Sequence, residues 1–430
     1  MLRGAESSTH QLGKRNVVHA GKYRFLKIGL AAALGGVLQA CTSQSILPME
    51  HPNSDDVWQG VALPSQEDKT SRKTDPVQPY RNRTRTSASG TVTDPLGLLP
   101  SGISDARGWG EDIAVAFKTL NIEPSIENQC AAIAVIAQES SFQATPTVQG
   151  LAHIIRNELE KRRAQYHIPK AVLEAALSVK SPDGRSYDSR IAGLRTENDL
   201  NRLYDDMLSE LPLGKTLFAS RNPIRTGGPM QVSVAFAEQF HQESHIPYPY
   251  GDGTSVRDEV FSRKGGVFFG IAYLLGYPVK YDQMIYRFAD YNAGRYSSRN
   301  TGFQKTLIEV SGNHLALDGD LLRYDDEGKP RPGSETQTIL TDLRAELGLS
   351  EAEIREDLSR EKTPDFERTK LYSRLEALAL RKGRTPIRPA LPEIRLISPK
   401  ITSGLTTQGF ARKVESRYRQ CLKRANRDHV

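Results

Sequence analysis

The sequence predicts a mainly α-helical fold, and three observations support this prediction. Apolar residues recur at helical spacing in successive stretches of the chain beyond residue 105. No strand-like alternation of apolar and polar residues appears over residues 151–222. Residues that favour helix N-caps, such as Ser125, Ser233 and Asp282, stand at or near the starts of periodic stretches. Helices are therefore the regular structure that we expect.

Length and charge limit the classes of protein to which the chain can belong. At roughly 150 residues for each domain, 430 residues leave room for two or three domains. Hydrophobic residues make up 38% and the mean hydropathy is −0.50, as in soluble proteins. The net charge is +7, but six of the 58 basic residues and one of the 51 acidic residues precede Cys41. The rest is nearly neutral, so the charge gives no support to nucleic-acid binding.

Residues 1–40 are predicted to be a signal peptide. A positive region ends at Lys27, and the apolar run that follows is too short to span a bilayer as a mature helix. The Leu38-Gln-Ala-Cys41 segment resembles the bacterial lipoprotein box, which implies a lipidated Cys41 and a membrane anchor. Thr42 follows instead of an aspartate, which by the same resemblance implies the periplasmic face of the outer membrane. The alternative is an ordinary secretory signal with an incidental cysteine.

Residues 41–104 are predicted to form a disordered tether. Ser, Thr, Pro, Asp and Arg dominate this segment, and seven prolines lie between residues 48 and 100. A segment of this composition buries too little apolar surface to offset the entropy lost on ordering. We expect the folded body to begin near Asp105.

Two helices and a longer helical block are predicted next. The first helix is amphipathic and covers 111–120, and the second begins near Ser125 and ends in the Gln138-Glu139-Ser140 segment. Helical patterns interrupted by two glycines then continue over 151–222. This block is expected to be helical.

A turn and four further helices follow the helical block. The Gly227-Gly-Pro-Met-Gln231 segment is typical of a turn, after which Ser233 caps a helix. Two helical stretches come next, around Gly265-Gly266. Asp282 is predicted to cap the last of these helices, and Gly294 to close it.

The chain beyond about Tyr324 is predicted to be a charged helical extension, residues 324–430. It contains three expected surface helices and a basic final helix, over 339–347, 351–358, 366–380 and 409–424. An extended segment over 386–399 precedes the last helix.

Glu139 is the carboxylic acid that the pattern singles out. On a helix it shares a face with Val135 and Ile136 behind it and with Phe142 ahead. An apolar face removes water from the carboxyl group, which disfavours the charged form and raises its pKa. Such an acid can donate a proton near neutral pH. The alternative is a glutamate at a helix end that points to solvent.

Four stretches of the sequence carry one shared resemblance. They are Gln138-Glu-Ser-Ser-Phe142, Gly228-Pro-Met-Gln231, Gly270-Ile-Ala-Tyr-Leu274 and Ala289-Asp-Tyr-Asn-Ala-Gly294. In this order they resemble four motifs of the soluble-type lytic murein transglycosylases. Those motifs are the catalytic Glu-Ser pair, the Gly-Leu-Met-Gln turn, the Gly-x-x-Tyr-Leu helix and the Ala-Ala-Tyr-Asn-Ala-Gly segment.

The resemblance covers roughly residues 125–310 and implies a lysozyme-like catalytic domain over 105–323. The family joins its first two motifs by a short segment, whereas Glu139 and Gln231 stand much further apart here. Residues 151–222 are therefore interpreted as an inserted helical subdomain.

The resemblance also implies a reaction on peptidoglycan glycan strands. The family cleaves the β-1,4 bond between N-acetylmuramic acid and N-acetylglucosamine with one carboxyl group. Glu139 would protonate the glycosidic oxygen and then accept the proton of the muramyl 6-hydroxyl, which closes a 1,6-anhydro ring without water. Glycosidases usually use two carboxyl groups, and substrate-assisted enzymes are an accepted exception.

Five further residues receive roles through the same resemblance. Ser140 would orient Glu139, and Gln231 and Asn292 would form hydrogen bonds to the acetamido or ring substituents. Tyr291 would pack near the carboxyl group, although a core aromatic is the alternative. Met230 would line the groove.

Other readings of the same residues stay open. A lysozyme-like muramidase that uses water needs a second carboxylate, roughly 6.5–9.5 Å away for an inverting route, and Asp290 is the candidate. A peptidoglycan-binding or scaffolding lipoprotein without activity is another. His241 and His245 have helical metal-ligand spacing but lack the glutamate of the zinc-protease motif. No metal and no cofactor is predicted.

Cys130 and Cys421 are the cysteines that remain after Cys41. In an exported protein they are compatible with one disulfide or with two buried thiols. No Cys-x-x-Cys spacing is present to suggest a metal site.

Overall fold

The fold is described from a computed structural model that covers residues 94–165, 167, 169–210, 225–251, 255–325, 330–395 and 405–427. Helices dominate this part of the chain, and the strands are short, so the predicted mainly α-helical fold is confirmed. The predicted signal peptide, Cys41 and residues 41–93 of the predicted tether lie outside the described residues. Among the described helices, none has both the length and the apolar character needed to cross a membrane.

The elements of the described residues are numbered in chain order. The helices before the first strand are α1 Pro95–Leu98, α2 Ala106–Thr119, α3 Ile126–Glu139, α4 Leu151–Gln165, α5 Lys170–Leu177, α6 Tyr187–Ala192 and α7 Glu197–Glu210. The middle elements are β1 Thr226–Gly227, β2 Val232–Ser233, α8 Val234–Glu243, α9 Val256–Phe261, α10 Arg263–Leu275, α11 Met284–Ala293 and α12 Ser297–Ser311. The last are β3 Arg323–Tyr324, β4 Pro330–Arg331, α13 Glu335–Asp342, α14 Arg344–Leu347, α15 Glu351–Leu358, a 3-10 helix Pro364–Arg368, α16 Lys370–Arg381 and α17 Thr407–Arg427.

The described residues of the ranges 149–195 and 199–223 form one compact unit, which we call the inserted unit. Its range lies close to the insertion predicted over 151–222. Within it, Ile155, Tyr187 and Ile191 are buried, and Arg190 forms an ion pair of 2.6 Å with Asp206. The unit therefore has apolar residues of its own to bury.

The described residues of the ranges 41–148, 196–198 and 224–430 form the second unit, which we call the main unit. Helix α3 lies in its core, since every residue from Asn128 to Ile136 is buried. Helix α17 packs along both α3 and α11. A disulfide between Cys130 and Cys421, with a Cα–Cα distance of 5.5 Å, joins α3 to α17.

The described residues of the C-terminal segment, predicted as an extension over 324–430, group with the main unit. Its helices bury an apolar cluster together with α12, and this cluster contains Phe303, Leu307, Leu340, Ile354, Leu358, Phe366, Leu371 and Leu375. The predicted surface helices are therefore amphipathic helices with one face in a core. Charged residues such as Glu351 and Arg355 lie on the solvent-facing side, whereas Asp357 and Glu361 are buried.

Several predicted helix ends are confirmed by their hydrogen bonds. The Ser125 hydroxyl accepts a hydrogen bond from the Asn128 amide at 3.2 Å, and Ser233 accepts one from the Phe236 amide at 3.3 Å. Gly294 closes α11 with a φ of 103°, a backbone conformation that favours glycine.

Three local predictions are wrong. The folded part begins before Asp105, because Leu98 of α1 is buried. Asp282 does not cap α11, whose N-cap position is Gln283 without a side-chain bond. The break between α9 and α10 falls at Ser262 and not at Gly265-Gly266, because Ser262 caps α10 and accepts a bond from the Gly265 amide.

Candidate active site

Glu139 is the last residue of α3, and its carboxyl group is buried. The residue is 9% exposed, and neither carboxyl oxygen has a hydrogen-bond partner among the described residues. Burial raises the pKa of Glu139 well above its ordinary value, and the negative charge of Glu197 raises it further. The loss of water that the sequence predicted is therefore present, and the alternative of a solvent-facing glutamate does not describe this residue.

The chain turns sharply after α3. Ser141 and Phe142 have φ values of 50° and 60°, a left-handed conformation that costs L-residues free energy. Phe142 is nonetheless buried and packs edge-on against Trp109, with 5.3 Å between ring centroids. This contact helps to hold the turn and the helix end that carries Glu139.

Ser140 does not contact the carboxyl group of Glu139. Its hydroxyl donates a hydrogen bond to the Ile136 carbonyl at 3.0 Å, within its own helix. The predicted orienting role is therefore corrected, since Glu139 accepts no hydrogen bond from it.

The second motif forms the turn of the β1–β2 hairpin, residues 228–231. Gly228 has a φ of 74°, and a Cβ atom there would lie 2.0 Å from the Val260 carbonyl oxygen, so only glycine fits. A Cβ atom on Gly270 of α10 would lie 2.4 Å from Met230 Sδ. Met230 is completely buried against α10, which corrects its predicted place on the groove surface.

Gln231 ends this turn with a φ of 51° and is 7% exposed. Its Nε2 donates to the Gly228 carbonyl at 3.2 Å and to Glu197 Oε2 at 3.1 Å. Its buried Oε1 has no partner among the described residues. The side chain is thus fixed on one side and has an open acceptor on the other.

Helix α11 brings Tyr291 to the same place. The Tyr291 hydroxyl donates to the Met230 carbonyl at 2.7 Å, which ties the fourth motif to the second. Burial and the charge of Glu139 raise the pKa of Tyr291 well above its ordinary value. The predicted packing of Tyr291 near the carboxyl group agrees with this electrostatic effect.

Asn292 follows on α11 and is 3% exposed. Its Oδ1 accepts a hydrogen bond from the Thr407 hydroxyl at 2.9 Å, at the start of α17. Its buried Nδ2 has no partner among the described residues. Helix α17 also reaches the other side of the site, where Arg417 Nε donates to Gln138 Oε1 at 3.1 Å.

Asp290, the candidate second carboxylate, belongs to the core instead. It is completely buried and accepts hydrogen bonds from the hydroxyls of Tyr277 and Tyr281, at 3.0 and 2.8 Å. It also accepts bonds from the amides of Tyr296 and Ser298, at 3.0 and 2.6 Å. With these four donors it braces the start of α12, so its predicted role in activating water is corrected.

Glu197 is the site residue that the sequence reasoning missed. It is the first residue of α7, it is half-buried, and it belongs to the main unit although it stands beside the insertion in the sequence. A backbone bridge between Thr147 and Thr196 fixes the residue before it. Nothing in the sequence marks Glu197 among the other acidic residues of predicted helices.

No group of three or more His, Cys, Asp or Glu side chains in the described part of the chain is arranged to hold a metal ion. His241 lies in the last turn of α8, and His245 follows that helix with a φ of 52°. Both side chains are exposed.

Comparison with known proteins defines the family. Residues 102–424 match the family described as "Protein of unknown function (DUF1615)", and the chain belongs to this family. The "Uncharacterized protein YaiW" of Escherichia coli (strain K12) is 46% identical over 326 residues, which are 76% of this chain and 87% of that protein. No solved structure matches the chain. Neither description assigns an activity.

Proposed function

We propose that the protein is a lytic transglycosylase that acts on peptidoglycan. It would cleave the β-1,4 bond between N-acetylmuramic acid and N-acetylglucosamine and leave a 1,6-anhydro end. The observation that carries the proposal is the carboxyl group of Glu139, which is buried and has no hydrogen-bond partner in the described structure. Such a group is costly to retain without a use, and here it is close enough to Tyr291 to raise the pKa of that hydroxyl, which donates to the Met230 carbonyl.

The first step is proton donation by Glu139. Burial raises the pKa of Glu139 well above its ordinary value, which favours the protonated carboxyl group that can deliver a proton to the glycosidic oxygen. The bond between that oxygen and the anomeric carbon then breaks. The acetamido oxygen of the muramic acid stabilises the positive charge that develops, as in substrate-assisted glycosidases.

The second step closes the anhydro ring. The ionised Glu139 accepts the proton of the muramyl 6-hydroxyl. At the same time the oxygen of that hydroxyl bonds to the anomeric carbon. No water is consumed, and Glu139 returns to its protonated form. Burial of the carboxyl group supports this route, because a dry site limits competition by water.

Two buried polar atoms support recognition of an acetamido group. Gln231 Oε1 is an acceptor and Asn292 Nδ2 is a donor, and both are buried without a partner in the described residues. An amide presents one donor and one acceptor, so it can satisfy both atoms. Substrate binding requires the site to open, because Glu139 and Gln231 are less than a tenth exposed.

Two alternatives are less well supported. A muramidase would use Asp290 as its base, but this residue is held in the core by hydrogen bonds from two backbone amides. A binding protein without activity would not need to retain a desolvated acid at the end of α3, where a neutral residue is less costly.

The test uses purified peptidoglycan sacculi and Glu139→Gln. This change keeps the shape of the side chain but removes the proton, and a residue used in both steps should cost about 10⁴-fold or more in rate. Mass spectrometry of the released muropeptides distinguishes anhydro ends, which are lighter than hydrolytic ends by one water. Glu127→Gln, an exposed acid in the first turn of α3, is the matched control. Release of anhydro ends by Glu139→Gln at the wild-type rate would refute the proposal.

We also propose that Cys41 carries a lipid anchor at the periplasmic face of the outer membrane. The disulfide between Cys130 and Cys421 supports an exported protein, since disulfides persist in oxidising compartments. Cys41→Ala should move the protein from the detergent phase to the aqueous phase on partitioning. A variant that stays in the detergent phase would rule out the anchor.

A further inference from the structure

Glu197 reaches the Glu139 site through a direct contact and a fixed backbone. Its Oε2 accepts a hydrogen bond from Gln231 Nε2 at 3.1 Å. Thr196, the residue before it, pairs with Thr147, which lies on the segment that follows Glu139 in the sequence. Residues Thr196–Asn198 accordingly group with the main unit and not with the inserted unit.

The contact between Glu197 and Gln231 helps to fix the orientation of the Gln231 amide. Glu197 is an acceptor, so it selects the NH₂ end of the amide, and the Gly228 carbonyl selects the same end. Gln231 Oε1 is then left buried and without a partner in the described structure. Without the Glu197 carboxylate, one of the two contacts that set this orientation would be lost.

The charged and titratable groups around Glu139 come from four other helices. Glu197 comes from α7, Tyr291 from α11, and Tyr273 from α10 packs edge-on against Tyr291. On the α17 side, Arg417 binds Gln138, and that contact is at the exposed edge. Glu139 itself has no hydrogen-bond donor among the described residues to stabilise a negative charge. A second carboxylate nearby therefore opposes its ionisation.

We propose that Glu197 is the second acidic residue of this site, a positioning residue that fixes the amide of Gln231 and whose negative charge opposes ionisation of Glu139. The electrostatic part of the proposal is independent of the substrate, and the catalytic use of Glu139 rests on the proposed transglycosylase activity.

The first experiment measures the titration of Glu139 without substrate. The intact mature protein is labelled with ¹³C at the glutamate carboxyl groups, and the Glu139 resonance is assigned by its loss in Glu139→Gln. In Glu197→Gln the midpoint of Glu139 should fall by about one pH unit. In Glu197→Asp, which keeps the charge, most of the wild-type midpoint should be restored. An unchanged midpoint in Glu197→Gln would overturn the proposal.

Folding is checked by the thermal melt of each variant. Glu197 is half-buried at a helix start, so Glu197→Gln is expected to melt close to the wild type. Glu197→Ala is a second neutral variant, and its Glu139 midpoint should fall as well. A wild-type midpoint in a folded Glu197→Ala would count against the proposal in the same way.

The second experiment follows the release of anhydro ends from sacculi as a function of pH. Glu139 must be protonated to act, so a lower midpoint makes Glu197→Gln lose activity at a lower pH than the wild type. If the Glu139 midpoint falls but even the wild type releases no anhydro ends, the inference stands and the proposed function fails. If the wild type releases them but neither the midpoint nor the pH profile moves in Glu197→Gln, only the inference fails.

Discussion

The end of α3 and the start of α12 each bury a carboxyl group, and the two are treated in opposite ways. Asp290, near the start of α12, accepts four hydrogen bonds from hydroxyls and amides. Glu139, at the end of α3, accepts none from the described residues. Burial raises the pKa of both groups, but at Asp290 the hydrogen bonds act against that rise. A satisfied acid stabilises the fold, whereas an unsatisfied acid lowers stability and remains free for chemistry.

The two carboxyl groups should differ most in how their replacement by an amide changes the free energy of unfolding. Asp290→Asn replaces one acceptor oxygen by an NH₂ group that faces donors, so buried donors lose their partners. We expect the free energy of unfolding to fall by about 2–4 kcal/mol. Glu139→Gln removes no hydrogen bond and should not lower it. Urea denaturation of both variants measures the difference, and equal losses would remove the distinction between the two regions.

Stability as a function of pH provides a second and smaller contrast. In the folded protein the pKa of Glu139 lies above its ordinary value of 4.5, so the folded state keeps a proton that the unfolded chain releases. The free energy of unfolding therefore falls as the pH rises from about 4.5 toward the folded pKa. Glu139→Gln lacks this proton, so it should gain stability relative to the wild type between pH 4.5 and pH 7.

Urea denaturation at the two pH values tests this prediction, with Glu127→Gln as the control. Glu127 is exposed on the same helix, so its removal should leave the pH dependence of the wild type unchanged. A constant difference between Glu139→Gln and the wild type at both pH values would show that Glu139 is not desolvated.

The smallest expected effect belongs to Ser140, next to Glu139. In the described structure its hydroxyl forms a hydrogen bond only to the Ile136 carbonyl. That carbonyl also accepts a bond from the Ser140 amide, so it keeps a partner when the hydroxyl is removed. Ser140→Ala should therefore change the free energy of unfolding by less than about 1 kcal/mol and leave the release of anhydro ends nearly at the wild-type rate. A loss of activity comparable to that of Glu139→Gln would restore the orienting role that the motif suggests.

Local features of the fold followed from the sequence because their causes are local. Ser125 and Ser233 cap helices through amides three residues ahead, and Gly294 closes a helix through its own backbone conformation. The glycines at 265 and 266 were misread, since they allow close packing and do not break the helix. A Cβ atom at Gly265 would lie 2.2 Å from the Glu259 carbonyl oxygen. Composition alone does not separate these two uses of glycine.

Part of the candidate site could also be predicted from the sequence, because that part depends on local patterns. The apolar residues around Glu139 predicted its loss of water. The four motifs predicted that Gln231 and Tyr291 belong to the same site as Glu139. The partner Glu197 and the placement of Asp290 depend on contacts between residues that are far apart in the chain. The contact between Gln231 and Glu197 spans 34 positions and begins beside an insertion. Such pairs leave no periodic signal in a single sequence.

The position of α17 has a consequence for the completion of the candidate site. Thr407 binds Asn292, Arg417 binds Gln138 and Cys421 is bonded to Cys130, so one wall of the site comes from a helix that begins 115 positions beyond Asn292. Until α17 has docked, α3 and α11 lack this wall. Docking of α17 is therefore the step that completes the site.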